Sequence, residues 1–119
     1  NIKWNKMNEI NDLQKIDIGV YPLFKDEWVL GKSGLKALQY MALSIPTIST
    51  NYGNIKDIIN NEQNGFLVNN SDQWLKILIK LCDDIDLRNF IGNNGRKVVE
   101  KYYSLKVISK KYQSVIKKL

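Results

Sequence analysis

The stretch Gly31-Lys32-Ser33-Gly34-Leu35-Lys36-Ala37-Leu38-Gln39-Tyr40-Met41 decides the fold, because it marks where a strand and a loop lead into a helix. An apolar, strand-like run at residues 16–21 precedes it. The two glycines predict a turn, and the apolar spacing that follows predicts an amphipathic helix over residues 32–43. A strand, a loop and a helix in this order predict a ligand site beyond the carboxyl end of the strand.

The predicted start of this helix is suited to an anion. Unpaired backbone N–H groups and the helix dipole both favour negative charge there, and Lys32 adds a cation. A P-loop would need a further glycine near Glu27, and neither Glu27 nor its neighbours are glycine. The pattern therefore predicts a phosphate-binding helix N-terminus; the alternative is that Gly31 and Gly34 serve only the turn.

Composition limits the other possibilities. A chain of 119 residues with 44% hydrophobic content is enough for one domain and one core. It contains no histidine, which excludes a histidine base, a Ser-His-Asp triad and a histidine-ligated zinc site within it. Its single cysteine, Cys82, cannot form an internal disulfide, and this favours a reducing compartment. Cys82 is predicted to be a small, buried hydrophobic residue. No apolar run is long enough to span a bilayer.

The net charge of +6 is carried mostly by lysine. Such a charge suits nucleic acid, an anionic membrane or a phosphorylated ligand. The chain has only two arginines, which disfavours nucleic acid, because arginine is the usual reader of bases and phosphates. The last helix carries Lys106, Lys110 and Lys117 on one face, where contact with anionic lipid and simple solvation are alternatives.

The rest of the pattern predicts an α/β fold. Strands are expected at residues 47–50 and 66–68, and helices after the capping residues Asn5, Ser71, Asp84 and Ser104. Within the third of these helices, Gly92 and Gly95 should each cost about 1 kcal/mol of helix stability. Alternating strands and helices predict a partial Rossmann-like domain, with a small parallel sheet flanked by helices and a helical C-terminus. Three strands would expose a sheet edge, so we expect the remaining strands in sequence outside this chain.

Several of these helices have apolar residues at helical spacing that are expected to face inward. They are Met7, Ile10 and Leu13 after Asn5; Leu35, Leu38, Met41 and Ala42 in the helix over residues 32–43; Trp74, Ile77, Leu78 and Leu81 after Ser71; and Leu87, Phe90 and Ile91 after Asp84.

The ordered set of motifs resembles the second half of the C-terminal, donor-binding domain of GT-B glycosyltransferases of family 4, the group 1 type. The resemblance covers the chain from about Trp4 to its end, so residues 1–119 are expected to form a single partial domain without the acceptor domain. The matching segments are residues 17–23, 38–42, 46–48, 53–59 and 64–68, followed by Leu87-Arg88, Gly95-Arg96 and Tyr103-Ser104.

Two positions depart from that family pattern. The family has a Glu-x7-Glu motif whose glutamates contact the donor sugar and the nucleotide ribose, and they fall on Gly31 and Gln39 here. Gln39 can still bond ribose hydroxyls, whereas Gly31 has no side chain to offer. The resemblance implies that Gly31, Lys32, Ser33, Gly34, Leu35 and Gln39 bind the donor; the catalytic residues stay unknown, and neither a metal nor a further cofactor is expected.

The resemblance implies that the chain is part of a bacterial, cytoplasmic enzyme. This enzyme would be a retaining hexosyltransferase that acts in the synthesis of cell-surface polysaccharide. The chain alone is expected to be inactive. The enzyme's donor would be a UDP- or GDP-linked sugar, and its saccharide or lipid-linked acceptor would bind through the missing domain. Peripheral contact with the inner face of the membrane is included in this expectation. Two alternatives stay open: a non-catalytic GT-B-like interaction domain, and a basic nucleic-acid-binding module.

Overall fold

The structure is a computed structural model that describes residue 3, residues 5–25 and residues 34–118. Its strands are β1 (Gly19–Tyr21), β2 (Thr47–Thr50) and β3 (Phe66–Val68). Its α-helices are α1 (Glu9–Leu13), α2 (Leu35–Ala42), α3 (Ser71–Asp83), α4 (Ile85–Val98) and α5 (Leu105–Lys117). Short 3-10 helices cover Lys6–Asn8 and Gly53–Asp57, and a π-helical turn covers Val99–Tyr103.

The three strands form one parallel sheet in the order β1-β2-β3. Gly19 pairs with Thr47, and Ile48 pairs with Phe66. All four residues of the central strand β2 are buried, as expected for a parallel strand covered on both faces. Strands β2 and β3 have the predicted limits, whereas β1 begins at Gly19 instead of residue 16.

Two apolar clusters hold the layers together. One cluster joins α2 to the 3-10 helix through Ala37, Met41, Ile55, Ile58 and Ile59. The other joins β2 and β3 to α3 and α4 through Ile48, Phe66, Val68, Leu81 and Ile91. The predicted α/β architecture, with a small parallel sheet between helices and a helical C-terminus, is confirmed.

Side chains cap the long helices. The carboxylate of Asp84 accepts a hydrogen bond from the Leu87 N–H at 2.9 Å, and Ser104 accepts one from Val107, as predicted. The cap of α3 is Asn70, one residue before the predicted Ser71, because Asn70 has extended backbone and accepts the N–H of Gln73. Ser71 is already the first helical residue.

Some predicted inward faces were wrong. Met7 and Ile10 are exposed, because Asn5 caps only a 3-10 turn and α1 has five residues. Phe90 is also exposed, and so is Cys82, which is therefore not the buried hydrophobe predicted. Helical periodicity placed these side chains on apolar stripes wider than the faces that the neighbouring elements cover.

Candidate functional site

The loops that follow β1 and β2 meet at the carboxyl edge of the sheet. The N–H of Leu23, after β1, donates to Thr50 Oγ1 at 2.9 Å, which ties that loop to the end of β2. One residue later, the Asn51 N–H donates to the Val68 carbonyl at the end of β3. Helix α2 begins between β1 and β2, so its first turn belongs to this edge.

Gly34 fixes the start of α2. It is buried and has a φ of +73°, a left-handed conformation that suits glycine. A side chain there would also be crowded, since a Cβ would lie 2.8 Å from Ile58 Cδ1 and 3.5 Å from Ile55 Cδ1. The helix start therefore packs directly on the segment that follows β2.

The first turn of α2 presents unpaired amides. The first intrahelical bond runs from the Leu38 N–H to the Gly34 carbonyl, so the N–H groups of Leu35, Lys36 and Ala37 have no carbonyl partner inside the helix. With the positive end of the helix dipole, these donors can bind an anion.

Leu35 and Gln39 lie one turn apart on the same strip of α2. Leu35 is 61% exposed and Gln39 is half-buried, so both are reachable from solvent. The prediction that Leu35 faces the core was therefore wrong, and the roles of Leu35 and Gln39 in donor binding stay predictions. The structure brings Gly34, Leu35 and Gln39 together on α2; Gly31, Lys32 and Ser33 lie outside the described residues.

Tyr40 anchors the other side of α2. Its ring packs over Gly19, where an added Cβ would come within 2.5 Å of two ring carbons. The Lys36 Nζ lies 5.4 Å from the centre of this ring. Burial raises the pKa of the Tyr40 phenol above its usual value of 10.0, so the group stays neutral at physiological pH. Tyr40 is thus a core residue, and the Lys36 ammonium lies over its ring.

A cleft lies beyond β2, in a segment where the sequence predicted no site. It has a volume of about 490 Å³. Its lining residues come from one continuous segment: Asn51, Tyr52, Gly53, Asn54, Lys56 and Asp57. The only sequence signal was the density of asparagine and glycine, which predicts a turn but says nothing of a concave surface.

Both arginine side chains donate hydrogen bonds to backbone carbonyls. Arg88 donates to the carbonyls of Leu81 and Cys82 at the end of α3. Arg96 donates to the Ala42 carbonyl and to the Glu100 carboxylate. These contacts are structural, and they engage both of the side chains best suited to reading nucleic acid.

The described residues contain neither a metal-binding cluster nor a helix able to cross a membrane. No cluster of cysteine, aspartate or glutamate side chains in residues 5–25 and 34–118 could hold a metal ion. In the same part of the chain, every helix is too short or too polar to cross a membrane.

Sequence comparison gives two findings. The profile of the family described as glycosyl transferases group 1 matches residues 2–98. The capsular polysaccharide biosynthesis glycosyltransferase CapM of Staphylococcus aureus is 30% identical over 108 residues, which is 89% of this chain and 27% of CapM. The chain thus spans about a quarter of that relative's length.

Structure comparison agrees. The C-terminal domain of the glycosyl transferase group 1 family protein LpcC from Francisella tularensis matches with a TM-score of 0.74 and 28% identity, over 88% of this chain and 52% of that domain. Sucrose-phosphate synthase from Thermosynechococcus elongatus matches with a TM-score of 0.68 over 71% of this chain and 22% of its own. At 22% identity, the second match concerns the fold alone.

Proposed function

The chain belongs to the group 1 glycosyl transferases, and we propose that it forms part of the nucleotide-sugar site of a longer, retaining family 4 enzyme. The observation that supports this most is the start of α2. Gly34 sets the first-turn amides at the carboxyl edge of the parallel sheet, next to the loop after β2. Ligands of open α/β sheets bind at this edge.

In this proposal the first turn of α2 stabilises the departing nucleoside diphosphate. Negative charge grows on the leaving group as the bond to the sugar breaks. Fixed N–H donors and a helix dipole aimed at that charge lower the barrier without reorganising. Lys32, shortly before α2 in the sequence, adds a point charge, and Gln39, one turn into the helix, bonds the ribose hydroxyls through its amide. No metal is needed for this role.

The donor in this proposal is a UDP- or GDP-linked sugar, and the acceptor is a saccharide or a lipid-linked saccharide. The acceptor would bind to a domain outside this chain, which spans only 27% of CapM. CapM is named for capsular polysaccharide, which supports a role in bacterial cell-surface polysaccharide synthesis. The isolated 119-residue chain is expected to bind donor weakly and to transfer no sugar.

Replacing Lys32 or Gln39 with alanine in the longer protein should impair donor use. Loss of a charged contact at Lys32 should lower kcat/KM for the donor about tenfold or more, and loss of a neutral hydrogen bond at Gln39 roughly threefold to tenfold. Steady-state kinetics with a series of UDP- and GDP-sugars would measure both. Thermal unfolding should show little change, since Gln39 is only half-buried.

Matched controls for these variants are Lys80→Ala and Gln113→Ala, which change exposed side chains on α3 and α5. Both should keep the parent kinetics. Parent kinetics in both Lys32→Ala and Gln39→Ala would place the donor site elsewhere. A longer protein that neither transfers sugar nor hydrolyses any of the donors would instead support the non-catalytic alternative.

We place this enzyme in the cytoplasm, in peripheral contact with the membrane through α5. Its apolar stripe is uncovered within the described residues: Leu105 is 82% exposed and Ile116 is 63% exposed, with Tyr112 and Val115 beside them. Lys106, Lys110 and Lys117 lie on the polar face of the helix, roughly opposite this stripe. A helix with an apolar stripe and a lysine-rich polar face suits the interface of an anionic bilayer.

Charge removal on α5 tests this membrane contact. Changing Lys106, Lys110 and Lys117 together to glutamine should weaken binding to phosphatidylglycerol-containing vesicles roughly tenfold or more, because each lysine near an anionic surface contributes about 1 kcal/mol. Co-sedimentation at fixed salt measures the effect. A control with glutamine at Lys76, Lys80 and Lys97 removes the same charge from α3 and α4. Equal losses in both triple variants would show only a net-charge effect and refute a specific role for α5.

A further inference from the structure

The segment that lines the cleft after β2 packs against the start of α2. This segment is residues 51–57 and contains the 3-10 helix Gly53–Asp57. Ile55 of that helix and Ile58 just after it are the residues on which Gly34 packs. The cleft is therefore connected to the first turn of α2 through these two isoleucines.

The position of this segment is well fixed. The Asn51 N–H donates to the Val68 carbonyl at 2.9 Å, and the Tyr52 N–H donates to the Thr50 carbonyl at the same distance. Ile55 is buried in the cluster beneath α2. A segment held by strand bonds at one end and by the core at the other presents its remaining side chains on a firm base.

Two side-chain amides are available in the cleft. Asn51 is half-buried and Asn54 is exposed, and within the described residues neither amide group makes a hydrogen bond to another part of the chain. A carboxamide offers a donor and an acceptor together, the pairing that neighbouring sugar hydroxyls require. The volume of about 490 Å³ lies in the range of small-molecule sites.

We propose that Asn51 and Asn54 form the subsite for the transferred sugar and bond its hydroxyl groups. The inference rests on the proposed function and deepens it. Gly31 can offer no side chain to the sugar, so its hydroxyl groups need other partners, to which a segment packed beside α2 can contribute. The loop after β2 is the described neighbour that supplies neutral hydrogen-bonding groups next to the first-turn amides.

The test separates sugar binding from nucleotide binding. We would measure affinities of the longer protein for UDP-glucose, GDP-mannose, UDP and GDP by calorimetry, using the pair that the parent protein binds. Asn51→Ala and Asn54→Ala should each weaken the nucleotide-sugar roughly threefold to tenfold, the range for one neutral hydrogen bond, and leave the free nucleotide within about twofold. Gln39→Ala, aimed at the ribose, should weaken both ligands.

Two further variants complete the design. Asn93→Ala removes an exposed asparagine on α4 and should leave all affinities unchanged. Asn51→Asp keeps the shape of Asn51 but replaces its N–H donors with a negative charge. The charge repels both ligands through their diphosphate, so the loss for the nucleotide-sugar is compared with the loss for the free nucleotide, and the variant gives a readable result even if Asn51→Ala fails to fold.

Each outcome either supports or overturns the assignment of Asn51 and Asn54 to the sugar subsite. Selective loss of nucleotide-sugar affinity supports the sugar subsite. Equal loss of nucleotide and nucleotide-sugar would assign the cleft to the nucleotide and overturn the inference. Parent affinities in the Asn51 and Asn54 variants, with Lys32→Ala impaired, would overturn it while the proposed function stands. A parent protein that binds none of the four ligands would overturn both.

Discussion

Replacing Gly92 with alanine should destabilise the domain by about 1 to 3 kcal/mol, the usual cost of overpacking a filled interior. An added Cβ would lie 2.0 Å from the Ser44 carbonyl oxygen and 2.8 Å from its carbon. These are backbone atoms in the turn between α2 and β2, so they cannot move aside as the end of a flexible side chain can. Relief would require α4 to move away from that turn.

The sign of this effect is informative because helix propensity acts in the opposite direction. In an exposed helix, alanine is favoured over glycine by about 1 kcal/mol. Urea unfolding of the chain would measure the balance, with Asn93→Ala as the neighbouring exposed control on α4. A higher unfolding midpoint for Gly92→Ala would mean that α4 does not pack on Ser44 as described.

Gly92 also shows that a local sequence pattern does not reveal which distant residues a helix contacts. The pattern correctly predicted that the helix continues through Gly92 and Gly95, but it treated both only as a cost to helix stability. Gly95 approaches the Asn64 carbonyl and Met41, so the two glycines form the contact between α4, the turn after α2 and the loop before β3. Local propensity carries no information on such a contact, because the partners lie more than 30 residues away along the chain.

Segments whose burial follows from their own composition were predicted well. Strand β2 was located from its β-branched residues after Pro46, and the inward face of α3 from Trp74, Ile77, Leu78 and Leu81. Prediction failed where burial depends on which neighbour is present. Met7, Ile10 and Phe90 lie at helical spacing and were expected to face inward, yet all three are exposed. Periodicity identifies the apolar face of a helix but does not show which element, if any, packs against that face.

The candidate site likewise has a part that the sequence predicted and a part that it did not. The helix that carries Leu35 and Gln39 could be predicted, because apolar periodicity is a local signal. Gly34 was predicted to lie inside that helix, but its left-handed φ places it before the first helical residue. The cleft lined by Asn51 and Asn54 could not be predicted, because it exists only where the segment after β2 packs beside that helix. The contact between the two depends on Ile55 and Ile58, and nothing in the sequence shows that these residues pack against Gly34.

Replacing Gly34 with alanine should damage the proposed donor site more than the fold. The left-handed φ of +73° costs an L-residue about 1 to 2 kcal/mol. The added Cβ would also press on Ile58 Cδ1, which is the end of a flexible side chain and can rotate away. Either adjustment tilts the first-turn amides of α2. Since misplaced transition-state donors lose much of their effect, we expect kcat of the longer protein to fall about 10- to 100-fold.

The comparison variant Gly65→Ala makes this expectation specific. Gly65 precedes β3, at the end of the sheet opposite the proposed site, and a Cβ there would lie 3.0 Å from Ile59 Cγ2 and 3.1 Å from the Thr47 carbonyl oxygen. It should therefore lose stability by steric crowding while retaining donor turnover. Thermal unfolding and kcat, measured together in both variants, separate the two effects. If kcat falls equally in the two variants, activity depends only on the stability of the domain, and the start of α2 has no special role in binding the diphosphate.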